Sequence, residues 1–212
     1  MPPAFHRLLA SVARSSWAVC FLLAAANVVS AAGTPTVTIT TNYYGVAGTN
    51  LMLIGKSLAA SRPFAATNTF DAFTHWTVGA EYDFRPNAGM WTLHHLRVKA
   101  VIKVTLPRWI PGVPVSPELV QTWSEYVANL TKHELGHVQF AREAAEEVQR
   151  QLDSLPGSAA APEANKAAQS IVNEVIEDYR SRERKFDRET HHGRNQGAIL
   201  QLGRPSGSPG KA

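Results

Sequence analysis

The chain has two hydrophobic periodicities, one in each half. From Thr34 to about Arg108, apolar and polar residues alternate, which is the period of a strand with one buried face. The segment from Val37 to Tyr43 predicts a half-buried strand by this pattern. The alternation is clearest from Leu96 to Leu106, where the predicted inward positions are Leu96, Val98, Ala100, Ile102, Val104 and Leu106. Such long alternation indicates an antiparallel sheet with one wet face.

Local signals divide this half of the chain into elements. Asn50 to Ala60 predicts a short helix, and Arg85 to Gly89 predicts a turn. The stretch from Pro107 to Pro114 contains three prolines, which oppose regular pairing, so we expect a linker there.

The C-terminal half has the period of helices. Ser116 is a good N-cap and Pro117 suits the first helical position, so a long helix is expected from there to about Leu155. After a Pro-Gly-Ser break, a second helix begins near Pro162. Its apolar stripe comprises Ala167, Ala168, Ile171, Val172, Val175, Ile176 and Tyr179. The short connection favours antiparallel packing of the two helices.

The N-terminus is typical of a secretory signal peptide at residues 1–31. Arg7 and Arg14, without any acid, precede an apolar run from Trp17 to Val29 that ends in small residues. The run is shorter than the ~20 residues that span a bilayer, which disfavours the alternative of an uncleaved anchor. We therefore expect export, periplasmic or secreted, with no stable membrane insertion after cleavage. The remaining chain divides into a domain at 32–198 and a disordered tail at 199–212.

Charge and cysteine content narrow the chemistry. Without Arg7 and Arg14, the basic residues fall from 21 to 19 against 17 acidic ones, too balanced to indicate a nucleic-acid partner. The one cysteine, Cys20, lies in the predicted signal peptide. A metal site in the mature chain must therefore use His, Asp or Glu.

The first long helix contains the motif His133-Glu134-Leu135-Gly136-His137. Histidines four apart project from one helix face and can chelate one zinc ion, while Glu134 is placed to take a proton from metal-bound water. The motif falls inside the stripe formed by Leu119, Trp123, Tyr126, Val127, Leu130, Ala141, Ala144, Val148 and Leu152. Ionisable groups on a buried face are costly unless a ligand such as zinc satisfies them.

A third ligand is expected from the end of the second helix. The segment from Lys185 to Gly193 is the other dense cluster of ligand-type residues in the mature chain. Antiparallel packing returns it toward the first helix, where either His191 or His192 can reach the motif. Candidate donors to a transition state are His191, Arg188 and Tyr179.

Several motifs resemble a bacterial family of domains of unknown function described as predicted secreted zinc-dependent proteases. The resemblance covers about residues 36 to 198. The segment from Phe186 to Gly193 resembles the family's Tyr-Asp-x-x-Thr-x-His-Gly pattern, with Phe186 in place of the tyrosine. The other matching segments are Tyr44 to Thr49, Phe73 to Trp76, Thr105 to Trp109, Trp123 and His133 to His137.

This resemblance implies that His192, rather than His191, is the third ligand. Asp187 is the second choice, or a carboxylate that orients a ligand imidazole. The predicted fold class is α+β, an N-terminal antiparallel sheet followed by two long helices, zincin-like. The predicted function is an exported zinc metallopeptidase with one ion and a peptide or protein substrate. The alternatives are a non-catalytic envelope protein with a structural zinc, and a metallo-amidase acting on cell-wall peptides.

Overall fold

A computed structural model of the chain describes residues 33–63 and 70–201. The predicted signal peptide and residues 202–212 of the predicted tail lie outside these ranges; Leu200, inside them, is buried. The described elements are β1 (Thr36–Val46), α1 (Leu51–Ser61), β2 (Phe73–Asn87), β3 (Met90–Trp109), α2 (Pro117–Asp153), α3 (Ala161–Thr190) and a 3-10 turn (Arg194–Gln196). The predicted α+β class, with two long C-terminal helices, is confirmed.

The sheet has the order β1-β3-β2 and is mixed. β2 and β3 form an antiparallel hairpin, whose turn residues Ala88 and Gly89 both have positive φ, as a tight primed turn requires. β1 pairs with β3 in parallel. The prediction of an antiparallel sheet is therefore wrong for this pair. Alternation reports which face is buried but not strand direction, and two chain reversals between β1 and β3 restore the original direction.

β2 and β3 extend into segments predicted as a turn and a linker. Pro86 lies in β2, whose outer edge has no neighbouring strand within the described residues. Pro107 lies in β3, beyond the pairing of β2, which ends at Thr105. At the outer edge of β2, and at the edge of β3 beyond its pairing with β2, no neighbouring strand needs a backbone N–H donor. A proline is therefore tolerated at both positions. The predicted linker therefore begins after Trp109.

One face of the sheet packs against the helices. The inward positions predicted for β3 are confirmed, since all but the half-buried Leu96 are buried. β1 is more exposed than predicted: Ile39 is 41% exposed and Tyr43 52% exposed. In the described ranges, α2 and α3 pack chiefly on β2 and β3, which leaves this edge strand largely uncovered.

Helix α2 begins as predicted, with the Ser116 hydroxyl accepting a hydrogen bond from the Leu119 amide. It runs antiparallel to α3, since Asn129 contacts Gly197, Gly136 faces Phe186 and His137 contacts Glu183. The start of β2, the middle of α2 and the end of α3 therefore meet. No helix in the described ranges is long and apolar enough to span a bilayer.

Candidate metal centre

Three ligand-type atoms converge where α2 faces the last turns of α3. Asp187 Oδ1 lies 3.3 Å from His133 Nε2 and 3.1 Å from His137 Nε2. The two Nε2 atoms are 3.3 Å apart. His133 and His137 are buried, and Asp187 is half-buried. The structure thus brings the predicted histidine pair together with Asp187, the second-choice ligand.

The outer nitrogens of the two imidazoles are held by acceptors. His133 Nδ1 lies 3.0 Å from Gln196 Oε1, and His137 Nδ1 lies 2.9 Å from Glu183 Oε1. A carboxylate or amide oxygen accepts only, so each Nδ1 carries a proton and each Nε2 is the nitrogen that faces the other candidate ligands. Glu183 also accepts a hydrogen bond of 2.9 Å from Trp76 Nε1, which fixes its own position.

The converging atoms are two imidazole nitrogens and one carboxylate oxygen, each with a lone pair that can bind a cation. Asp187 Oδ1 is buried and has no hydrogen-bond partner among the described residues. With each Nδ1 protonated, the two Nε2 lone pairs and this oxygen repel one another unless an extra proton or a metal cation lies among them. The ligand atoms of His133, His137 and Asp187 lie within 4.8 Å of one another, so this group can hold a metal ion.

The same atoms compete for protons. Burial of the His137 ring opposes its charging, but the Asp187 and Glu183 carboxylates outweigh this and raise the pKa of His137 to about 10. Burial also disfavours the Asp187 anion, yet the two imidazoles hold the pKa of Asp187 well below its usual range. A metal ion held by these atoms would take the place of the extra proton, so that its binding would release the proton.

Glu134 is buried in the same cavity as these ligands. The Thr74 hydroxyl, from β2, donates a 2.6 Å hydrogen bond to Glu134 Oε2. Burial raises the pKa of the Glu134 carboxyl above its ordinary value, while this hydrogen bond and the nearby histidines counteract part of the rise. A carboxylate with a raised pKa is suited to exchanging protons near neutral pH.

Two glycines allow the close packing around the ligands. A Cβ on Gly136 would lie 2.8 Å from Phe186 Cζ, and the Phe186 ring stacks on His133 with centroids 5.0 Å apart. Gly193 has a φ of +79°, and a Cβ there would lie 2.9 Å from His133 Cγ. Phe186 and Gly193, the first and last positions of the Phe186–Gly193 segment, therefore both pack against His133.

His192 lies beside the converging atoms. Its Nδ1 is 3.6 Å from Asp187 Oδ1, and its ring stacks on Phe70 with centroids 4.0 Å apart. His192 is exposed and is not part of the convergent group. His191, in the left-handed conformation that ends α3, is exposed and contacts Asn195.

A cavity of about 260 Å³ opens onto the candidate metal centre. It is lined by Arg62, Phe70, Asp71, Ala72, Phe73, Thr74, His75, Trp76, Leu130, His133, Glu134, His137, Arg180, Glu183, Asp187, His192, Arg194, Ala198 and Ile199. The predicted donors Tyr179, Arg188 and His191 are not in this lining.

Three residues of the centre were missed by the sequence reasoning: Thr74, Glu183 and Gln196. Thr74 lies in the Phe73–Trp76 segment that resembles the family, but the resemblance implies no role for it. Glu183 precedes Asp187 by four residues, so helical spacing alone places both on one face of α3. No sequence signal points to Gln196, which reaches His133 only because the chain turns back after α3.

Comparisons with known proteins give one match. No curated protein and no solved structure matches this chain. The model of a family described as bacterial protein of unknown function (DUF922) matches residues 41–193, a range that contains the candidate ligands His133, His137 and Asp187 together with Glu134 and Thr74. The chain therefore belongs to this bacterial family of unknown function, DUF922.

Proposed function

We propose that this chain is an exported zinc-dependent peptidase, with zinc held by His133, His137 and Asp187 and with Glu134 as general base. The observation that carries the proposal is the convergence of two imidazole nitrogens and a buried carboxylate oxygen, which has no hydrogen-bond partner in the described part of the chain. Export rests on the signal-like sequence of residues 1–31.

The ligand set supports zinc in a hydrolytic role. Two imidazoles and one carboxylate are typical of catalytic zinc sites, whereas structural sites usually have four protein ligands. When bound in such a site, zinc lowers the pKa of its water toward ~7 and polarises a substrate carbonyl. The cavity beside the ligands leaves room for water and substrate.

The residues of the chain then have distinct tasks. Glu134 accepts the proton of the attacking water and delivers it to the leaving amine. Thr74 orients the Glu134 carboxylate through its 2.6 Å hydrogen bond. Glu183 and Gln196 hold the two imidazoles with their Nε2 atoms facing the centre.

The cavity wall supports a peptide as substrate. Residues from Phe73 to Trp76, at the start of β2, line the cavity. β2 is an edge strand among the described residues. An extended peptide can therefore add to this edge by backbone pairing, beside Glu134 and the metal ligands.

The first test is metal analysis of the purified mature chain, followed by hydrolysis of a mixed peptide library with and without a chelator. We expect one zinc per chain, and peptide cleavage that the chelator abolishes and added zinc restores. A chain that binds no zinc would overturn the proposal. Cleavage confined to cell-wall peptides would assign the metallo-amidase alternative.

A second test separates catalysis from a structural role of zinc. Glu134→Gln should keep zinc content and folding, because the amide oxygen still accepts from Thr74. It should lose about 10²- to 10⁴-fold in hydrolysis, the usual contribution of a general base. Full activity in this variant would remove Glu134 from the mechanism, and zinc binding without any hydrolysis in the wild type would favour the envelope-protein alternative.

A further inference from the structure

The cavity contains arginines that its own acids do not neutralise. Arg62 forms an ion pair with Asp71 at 2.6 Å. Arg180 and Arg194 also line the cavity, but within the part of the chain that the structure describes neither guanidinium pairs with a carboxylate. The Arg180 guanidinium instead lies over the Trp76 ring, 5.1 Å from its centroid. Each guanidinium offers N–H donors in a planar fork.

The remaining cavity acids are already engaged. Glu183 accepts from Trp76 and faces His137, and Glu134 accepts from Thr74. Asp187 faces the two motif imidazoles. Rearranging the acids to neutralise the arginines would break these contacts, so a carboxylate that pairs with the arginines has to come with a ligand.

The two arginines lie on either side of Asp187 along the chain. Arg180, Glu183 and Asp187 have the spacing i, i+3, i+7, so they share one face of α3. Arg180 is ~10 Å from Asp187 along the helix axis, which matches about three residues of an extended peptide. Arg194 follows in the 3-10 turn, and its side chain is exposed.

We infer that Arg180 and Arg194, on either side of Asp187, each offer a guanidinium to a carboxylate of the substrate, so that the proposed peptidase selects acidic peptides. This inference rests on the proposed function. The carboxylate belongs either to an acidic side chain within about three residues of the cleaved bond or to the C-terminus of the peptide. Guanidinium and carboxylate match in a two-point hydrogen-bonded pair, and the concave cavity limits competition from water.

Peptide binding tests the inference without turnover. The zinc-loaded Glu134→Gln chain is titrated against short fluorescein-labelled peptides that differ by Glu or Gln at single positions, each with a free or an amidated C-terminus. Fluorescence anisotropy should show about tenfold tighter binding for the carboxylate-bearing member of a pair. A preference that persists with amidated peptides assigns a side chain, and one that requires the free terminus assigns the C-terminus.

Arginine variants in the same background identify the groups responsible. Arg180→Gln and Arg194→Gln should each reduce the preference, and together they should abolish it. Arg184→Gln is the matched control, because Arg184 lies on the same helix outside the cavity lining and pairs with Glu177. A preference that survives both cavity substitutions would come from the metal ion and overturn the assignment. The metal-free chain, titrated in parallel, should retain part of the preference.

Cleavage of the same peptides by the wild-type chain separates the two proposals. Selective, arginine-dependent binding without zinc-dependent cleavage would overturn the peptidase function alone. Equal binding and equal cleavage of Glu and Gln peptides would overturn the acidic preference alone. Absence of both binding and cleavage would overturn both.

Discussion

Thr74 Oγ1 donates a 2.6 Å hydrogen bond to Glu134 Oε2, although the two residues are 60 positions apart in the chain. Both residues are buried, so bulk water does not compete for this bond. It connects the start of β2 to the middle of α2 and holds the carboxylate in one orientation. The bond is therefore the contact through which the sheet positions the proposed general base.

Thr74→Val should lower kcat by roughly tenfold to a hundredfold, because a buried hydrogen bond to a charged group is lost. Zinc content should not change, since Thr74 contacts none of the ligand atoms. Thr74→Ser keeps the hydroxyl and should restore most of the activity. Peptidase kinetics and metal analysis on all three chains check this; if Ser behaves like Val, the effect comes from packing and not from the hydrogen bond.

Gly193→Ala should weaken zinc binding, because the added Cβ would lie 2.9 Å from His133 Cγ and would displace the ring. Gly89→Ala is the matched control: its φ is also positive, at +80°, but no atom of residues 33–63 or 70–201 lies within 4 Å of the added Cβ. Backbone strain should cost each variant about 1–2 kcal/mol of unfolding free energy, and the Gly193 variant should lose more because its Cβ would also lie 2.9 Å from Ala198 Cβ. Zinc titration and urea unfolding measure the two effects. Equal zinc affinity in the two variants would show that the His133 contact is unimportant.

Asp187→Asn should weaken zinc binding far more than His192→Ala does. Asp187 Oδ1 approaches both motif imidazoles, so its loss as an anionic ligand should weaken zinc binding by more than the 10- to 100-fold typical of residues that only orient a ligand. His192, exposed and stacked on Phe70, should leave the affinity nearly unchanged. Competition with a chromogenic chelator gives both affinities. The reverse order would assign His192 as the third ligand.

Tyr126→Phe should make stability less sensitive to alkaline pH. Burial, reinforced by the Asp71 carboxylate, raises the pKa of Tyr126 well above its ordinary value. The same two causes raise the pKa of Tyr44. Unfolding lets each tyrosine ionise near pH ~10, so stability is full below that pH and falls above it by ~1.4 kcal/mol per pH unit for each tyrosine.

The substitution removes one of these two groups. It also removes the 2.7 Å hydrogen bond to Asp71, so the variant should be less stable near neutral pH, with a gap that narrows above about pH 10. Urea unfolding across the alkaline range measures this gap. If the unfolding free energies of the wild type and Tyr126→Phe fall in parallel above pH ~10, the raised pKa of Tyr126 is wrong.

Much of the fold could be predicted because it depends on local periodicity. The buried face of β3, the start of α2 at Ser116 and the inward stripe of α2 follow from residue spacing, and the structure confirms them. The parallel pairing of β1 with β3 could not be predicted, since alternation is the same for either direction. The exposure of Ile39 and Tyr43 depends on which strands the helices cover, and that is also non-local.

The common inward face of His133, Glu134 and His137 could be predicted, because it depends only on helical spacing. The groups that contact these three residues could not, because they come from other elements of the fold. Asp187 approaches the imidazoles, Thr74 binds Glu134, and Glu183 and Gln196 hold the rings, all through contacts between residues 46 to 63 positions apart in the chain. Such contacts follow from how β2, α2 and α3 pack together, and residue spacing within one element carries no record of that packing.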